Sequence, residues 1–427
     1  MGKEQLKEIV CRIIDENRSE TEAIAKKIFE NPELGYKEFE TAQLVKEYFN
    51  KLGIPYRDNL AITGVKGRQK GRSSLVTVSV LGEMDAVICR THPSASKATG
   101  ASHACGHNLQ VASMLAVCGA LSKISGELDG DVCYFAVPAE EFIEMDYRKE
   151  LIDSGKIEFC GGKQELIRIG EFDDIDMAMM VHAQGSTPQK SAFIDGGSLG
   201  FLAKTIGFYG KAAHAGGAPY EGINALNAAN LCLAGINAQR ETFKDEDSIR
   251  VHPIITKGGD IVNVVPDYAE IETYVRGKTL TAIDETNEKV NRAAKGAAYI
   301  IGAKEEIKDL KGYLPLNQNR MMSSLFCENA KAFIAESEIY HGIDMVGSSD
   351  VGDLSQIMPV IQPTMGGFFG NAHAEEFAVA DFDAACILPA KVMAMTVIDL
   401  LYNNCEKAKE ILDNFEPALS KQEYIEK

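Results

Sequence analysis

Three short apolar runs constrain this chain more than any other feature: SLVTVSVL at 74–81, DVCYFAV at 131–137 and IDMAMMV at 175–181. Each is strand-length and continuously apolar, the pattern of strands covered on both faces. Helical stretches separate and precede them. Residues 4–30 carry a stripe of Leu6, Ile9, Val10, Ile13 and Ile14 and stop at Asn31-Pro32. Residues 38–51 form an amphipathic helix ended by Gly53, and 108–122 an apolar one. Alternating strands and helices predict an α/β fold with a central, mostly parallel sheet flanked by helices.

Near residue 196 the pattern changes. GGSLGFLAKTIGFYGKAAHAG reads as a strand with polar alternation, followed by a helix at 222–240, strands at 249–256 and 267–276, and a helix at 281–302. This β-α-β-β-α order predicts a smaller α+β domain inserted into the first. The expected division is 1–195, 196–308 and 309–427, with the last part returning to complete the first. That last part carries a helix at 320–338, a glycine-rich stretch at 347–371 and two helices between 382 and 420. A length of 427 residues suits two or three domains.

Composition excludes several classes. With 45% hydrophobic and 25% charged residues, the chain is not mainly disordered. A net charge of −18 argues against binding nucleic acid or an anionic membrane, since both select a basic face. The ten cysteines occur singly, without a CxxC pair, so no disulfide framework is expected. MGKEQLKEIVCRII lacks a signal-peptide pattern, and no run approaches the ~20 apolar residues of a spanning helix. A cytoplasmic, reduced protein is the expectation.

The chemistry collects where the strands end. The first runs into Gly82-Glu83-Met84-Asp85, the second into Pro138-Ala139-Glu140-Glu141, and the third ends at His182. In an open α/β sheet the carboxyl ends of the strands line the ligand crevice. Between the first two strands lies Ser102-His103-Ala104-Cys105-Gly106-His107-Asn108, a loop entering the apolar helix. With Gly106 as a pivot, Cys105 and His107 can face one ion, and thiolate with imidazole suits zinc better than magnesium or calcium. Glu141 and His182 complete that set. Glu140 and Glu141 diverge at a strand end, so one carboxylate can ligate a metal while the other acts as general base. Cys118 and Cys133 sit in apolar runs and read as core.

Later in the chain, His214 lies in GKAAHAGG at 210–217, Asn263 in GGDIVNVVPD at 258–267, and His373 in GGFFGNAH at 366–373. Neither a GxGxxG nor a GxxxxGK[ST] pattern turns the glycines into a nucleotide loop.

GEMDA at 82–86, HACGHN at 103–108, PAEE at 138–141, His182, GKAAHA at 210–215, NVVPD at 263–267 and His373 together resemble the M20 metallopeptidases. The likeness is to the amidohydrolase branch with aminoacylases and auxin-conjugate hydrolases. NPELGYKEFETAQLV near the N-terminus resembles that branch too. HACGHN and GSSDVGDLSQIMP at 347–359 lean toward aminobenzoyl-glutamate hydrolases and β-alanyl-lysine dipeptidase-like members.

The resemblance implies a dinuclear zinc peptidase fold with a lid and dimerisation domain, and hence a homodimer. It implies two divalent ions, zinc or manganese with cobalt as a further option, held by Cys105, His107, Glu141, His182 and His373, with Cys105 bridging. Glu140 would be the general base, and His214 would bind substrate or stabilise the oxyanion. Asn263 and Arg276 would hold the substrate carboxylate, and Asp85 would steady a ligand. The segment 87–102 is longer than most relatives have. His92 within it lies outside the family motifs and reads as a surface residue.

The implied reaction is metal-dependent hydrolysis of an amide bond in an N-acyl amino acid, an aminobenzoyl-glutamate-like conjugate or a dipeptide. Two other readings compete with it. A Cys105 nucleophile with His107 as base leaves both glutamates unexplained. A metal-containing protein that binds acylated amino acids or peptides without turnover keeps the ligands but gives Glu140 no task.

Overall fold

Strand Thr77–Glu83 lies between two parallel partners, Asp131–Val137 on one side and Met177–Met179 on the other. The sheet around it runs Tyr56–Leu60, Gly64–Gln69, Asp131–Val137, Thr77–Glu83, Met177–Met179, Val360–Ile361. Its first two pairings are antiparallel and the other three parallel. The α/β reading therefore holds, with an antiparallel hairpin added at one edge. The hairpin strands, YRDNL and GVKGRQ, are short and polar and do not stand out in the sequence.

The computed structural model describes residues 1–345 and 347–426. They fall into two compact units. The first comprises Met1–Gly197, Asn317–Asp344 and Asp353–Lys427, and the second Ser198–Leu316 with Met345–Gly352.

In the first unit, every residue of helix His107–Leu121 is buried, which explains its apolar sequence on all faces. It packs against strand Thr77–Glu83 and against helices Lys3–Glu16, Arg18–Glu30 and Leu388–Leu401. The stretch read as one helix over 4–30 is two, parted at Asn17, whose side-chain amide donates to the Ile13 carbonyl (2.9 Å). An Asn that bonds the preceding turn ends a helix readily. Asp383–Leu401 is long and apolar enough to cross a membrane, but 94% of its window is buried within the protein. It is a core helix of this unit.

Helix Phe39–Leu52 shows how the segment before it works. The Glu33 carboxylate accepts from the N–H groups of Glu40 and Thr41 (both 2.9 Å) and from the Thr41 hydroxyl (3.0 Å). It takes up the unsatisfied donors of the helix N-terminus and sits at the positive end of its dipole. Glu33→Ala is expected to destabilise the unit by about 1 kcal/mol, read as a lower urea midpoint with unchanged slope.

The second unit is an antiparallel sheet ordered Arg250–Val251, Tyr268–Gly277, Gly200–Tyr209, Lys304–Lys311, with Ile254–Lys257 also on Tyr268–Gly277. Helices Ala225–Ala238 and Leu280–Ile301 pack on it around Ile206, Phe208, Ile271 and Val275. Residue 308, the expected end of the inserted domain, falls inside strand Lys304–Lys311. That strand reads KEEIKDLK because it is an edge strand, paired among the described residues with Gly200–Tyr209 and mostly exposed. Charge is common on such edges and hides them from a hydrophobic pattern.

Candidate metal centre

The strand ends converge as the sequence suggests. Cys105 and His107 flank Gly106, whose φ of 85° lets the loop turn sharply into the helix. A Cβ at Gly106 would lie 2.9 Å from that of Ala183, the residue after His182. The His373 N–H donates to the Ala104 carbonyl (2.7 Å), tying the late glycine-rich loop to the Cys105 loop.

Five donors come together in two overlapping groups. Cys105, His107 and His182 place their ligand atoms within 4.8 Å of one another, and so do Cys105, Glu141 and His373. Cys105 Sγ lies 3.5 Å from His182 Nε2 and 3.3 Å from His373 Nε2. His373 Nε2 is 3.0 Å from Glu141 Oε1. Cys105, His107 and Glu141 are buried.

Asp85 reaches two of these residues. Its Oδ2 accepts from the Glu141 N–H (2.9 Å), while its backbone carbonyl lies 2.9 Å and its Oδ1 3.4 Å from His107 Nδ1. Glu140 is 6% exposed, and its Oε2 is 3.9 Å from His107 Nε2.

The charges are those of a ligand cluster. Burial alone would raise the Cys105 thiol, but the His107 and His182 imidazoles beside it hold it well below its ordinary value. Burial likewise opposes protonation of His107, and the Cys105 sulfur and Glu83 carboxylate reverse that. His373 is pushed up to about 11 by hydrogen bonds to Cys105 and Glu141. Burial pushes Glu141 up, as does the Cys105 sulfur. A thiol held toward thiolate among imidazoles is a metal ligand by disposition. His107 Nε2 and Glu83 Oε2 are moreover buried without a hydrogen-bond partner. Orphaned donor atoms around a sulfur shared by two triads fit two divalent ions.

Glu83 and Lys163 belong to this cluster, and sequence reasoning gave neither a role. Both are fully buried, with Lys163 Nζ 2.5 Å from Glu83 Oε1. Glu83 lay in plain view in GEMDA, whereas Lys163 stands alone in GGKQEL without a periodic or motif signal.

His92 is not a surface residue. It is 6% exposed, with Nε2 2.9 Å from the Phe377 carbonyl and Nδ1 2.8 Å from the Ser94 hydroxyl. Its Thr, Pro and Ser neighbours make the segment look solvated, yet the imidazole finds a carbonyl inside. Cys118 and Cys133 are core, as expected, and burial raises both thiols.

His214, Asn263 and Arg276 lie in the second unit. His214 Nδ1 accepts from the N–H groups of Gly216 (3.2 Å) and Gly217 (2.9 Å), which leaves Nε2 for other partners. The Ala215 N–H donates to the Asn263 carbonyl (2.9 Å), so these two loops are joined. Arg276 donates to the Ser348 hydroxyl (2.9 Å) and lies over the Phe201 and Tyr274 rings at 5.0 and 5.2 Å.

Glu38 lies on the same network. Its Oε1 accepts from the Ala139 N–H (2.8 Å) and its Oε2 is 2.6 Å from the Thr63 hydroxyl. Burial, with the Asp85 carboxylate nearby, pushes it up to about 8. The folded chain thus holds a proton here that the unfolded chain releases near pH 4.5, so this group's contribution falls between about pH 4.5 and 8 and is flat above. Glu38→Gln keeps both hydrogen bonds and is expected to flatten that decline in urea unfolding measured from pH 5 to 9.

Comparison with known proteins agrees with this geometry. Residues 197–300 match the family model for the peptidase dimerisation domain of M20 proteins. The chain is 28% identical to the Xaa-Arg dipeptidase of Mus musculus over 427 residues, 93% of this chain and 90% of that protein. Its fold matches the YXEP protein of Bacillus subtilis, described as a dinuclear metal binding peptidase from the M20 family, with TM-score 0.70, 22% identity, and 90% and 98% of the two chains covered. It also matches an aminobenzoyl-glutamate utilization protein from Klebsiella pneumoniae, with TM-score 0.67, 17% identity, and 91% and 97% covered. Fold, paired donor sets and dimerisation segment together mark this chain as a dinuclear metal-dependent amidohydrolase or peptidase related to the broad M20 family.

Proposed function

We propose that the chain hydrolyses the amide bond of an N-acyl amino acid, an aminobenzoyl-glutamate-like conjugate or a dipeptide, with Glu140 as general base. The observation that carries this reading is the sharing of Cys105 by two donor triads with the Glu140 carboxylate beside them. Cys105, His107 and His182 would hold one ion, and Cys105, Glu141 and His373 the other. When bound, the ions supply Lewis-acid polarisation of the carbonyl and lower the pKa of a water.

Glu140 takes the proton of the attacking water at a carboxylate oxygen and returns it to the leaving amine nitrogen. Asp85 fixes the His107 ring through Nδ1 and the Glu141 backbone through its N–H. The M20 likeness would give His214, its Nδ1 occupied by backbone donors, the role of binding substrate or stabilising the oxyanion through Nε2. The same likeness would give Asn263 and Arg276 the substrate carboxylate. The matched segment supports a homodimer formed through the second unit, which light scattering of the purified protein would test. Zinc or manganese, with cobalt as a third option, suits the mixed sulfur, nitrogen and oxygen donors. Ten free cysteines support a reducing, cytoplasmic setting.

The test pairs metal analysis with amine release from N-acetyl amino acids, aminobenzoyl-glutamate, β-alanyl dipeptides and dipeptides ending in arginine. The last class is included because of the Xaa-Arg dipeptidase likeness. About two ions per chain with chelator-sensitive release is expected. Two ions without release from any amide would favour a binding protein.

A further inference from the structure

Glu83 ends the central strand in full burial, and one of its oxygens is held by the equally buried Lys163. A buried ion pair adds little net stability, because desolvation offsets the attraction. An apolar pair would fill the same space, so what matters is the use made of the second oxygen. Glu83 Oε2 lies 3.2 Å from His107 Nε2, and neither atom has a hydrogen-bond partner.

The other side of the ring defines what Nε2 offers. His107 Nδ1 faces two oxygens of Asp85, the backbone carbonyl at 2.9 Å and Oδ1 at 3.4 Å. Both are acceptors, so a neutral ring carries its proton on Nδ1 and presents a lone pair at Nε2. That lone pair then faces a carboxylate oxygen. With the ring neutral, an ion bound between these two electron-pair donors would satisfy both. Glu140 Oε2 completes the group, and the ligand atoms of Glu83, His107 and Glu140 lie within 4.8 Å of one another.

The two triads also differ in kind. Cys105, Glu141 and His373 include a carboxylate, whereas Cys105, His107 and His182 do not. We propose that Glu83 is itself a metal ligand, supplying the carboxylate missing from the Cys105, His107 and His182 triad, with Lys163 holding Oε1 so that Oε2 faces the ion. This inference rests on the reading of the cluster as a metal centre. It adds Glu83 to the five donors above and makes Lys163 a positioning residue.

Two measurements test it. Anomalous diffraction from crystals of the full chain loaded with manganese should place a Glu83 oxygen about 2.0–2.3 Å from an ion. An ion with Glu83 beyond about 3.5 Å would overturn the proposal while leaving the metal centre standing. In solution, the double variant Glu83→Gln/Lys163→Met removes both charges together and leaves none unpaired. Equilibrium dialysis with zinc should show one of its two ions held at least tenfold more weakly. Lys163→Met alone, which keeps the carboxylate but releases Oε1, should weaken that ion less than the double variant does. A double variant binding two ions like the parent would overturn the assignment, as would an equal loss from Lys163→Met alone. A parent chain that takes up no ion would overturn this inference and the metalloenzyme reading together.

Discussion

Glu140→Gln should retain both ions and lose about 10²–10⁴-fold in kcat. The substitution preserves volume and polarity at a side chain that is 6% exposed, so the strand end should keep its shape. It removes only the capacity to take a proton. The neighbouring Glu141, whose N–H is held by Asp85, keeps its place in the other donor group. Metal content by elemental analysis and turnover of the best panel substrate, measured on one preparation, check both halves. Unchanged turnover would dismiss Glu140 as the base, and loss of an ion would recast it as a ligand.

Cys105→Ala should have the broadest consequence of any single substitution at the centre. Cys105 belongs to both triads, so its loss leaves each with two donors. Uptake should fall from two ions to fewer than one under dialysis conditions that saturate the parent, and turnover should drop to background. His373→Ala is the informative contrast, because it touches only the triad with Glu141. It should lose one ion and keep the other. If Cys105→Ala also lost only one, the sulfur would not be shared.

The central sheet was legible because its strands are covered on both faces and must be apolar along their whole length. The strand at 131–137 emerges with its expected bounds, and the carboxylates and imidazole after the strands arrive where the alternation places them. What stayed hidden has a common physical cause. The hairpin Tyr56–Leu60 with Gly64–Gln69 and the edge strand Lys304–Lys311 satisfy backbone hydrogen bonds without burying a continuous apolar face. His92 and Lys163 are polar residues buried by partners distant in sequence, a carbonyl at 377 and a carboxylate at 83. No local pattern announces such a partner. The Asn17 break was readable in principle, since an Asn between two apolar stripes can end one helix and begin another.

The first compact unit is assembled from three separate stretches of chain, and this orders events on the ribosome. Cys105, His107 and His182 all emerge within the first 182 residues, whereas His373 follows 191 residues after His182 (373 − 182). At typical elongation rates that interval lasts about 10–40 s. During it the nascent chain carries Cys105, His107, Glu141 and His182 without His373, the third member of the triad with Cys105 and Glu141. Strand Val360–Ile361, which completes the sheet beside Met177–Met179, is equally late. A newborn chain thus passes through a stage with four of its five metal donors and an uncovered sheet edge, so ion supply and chaperone access during synthesis bear on how much finished protein is obtained.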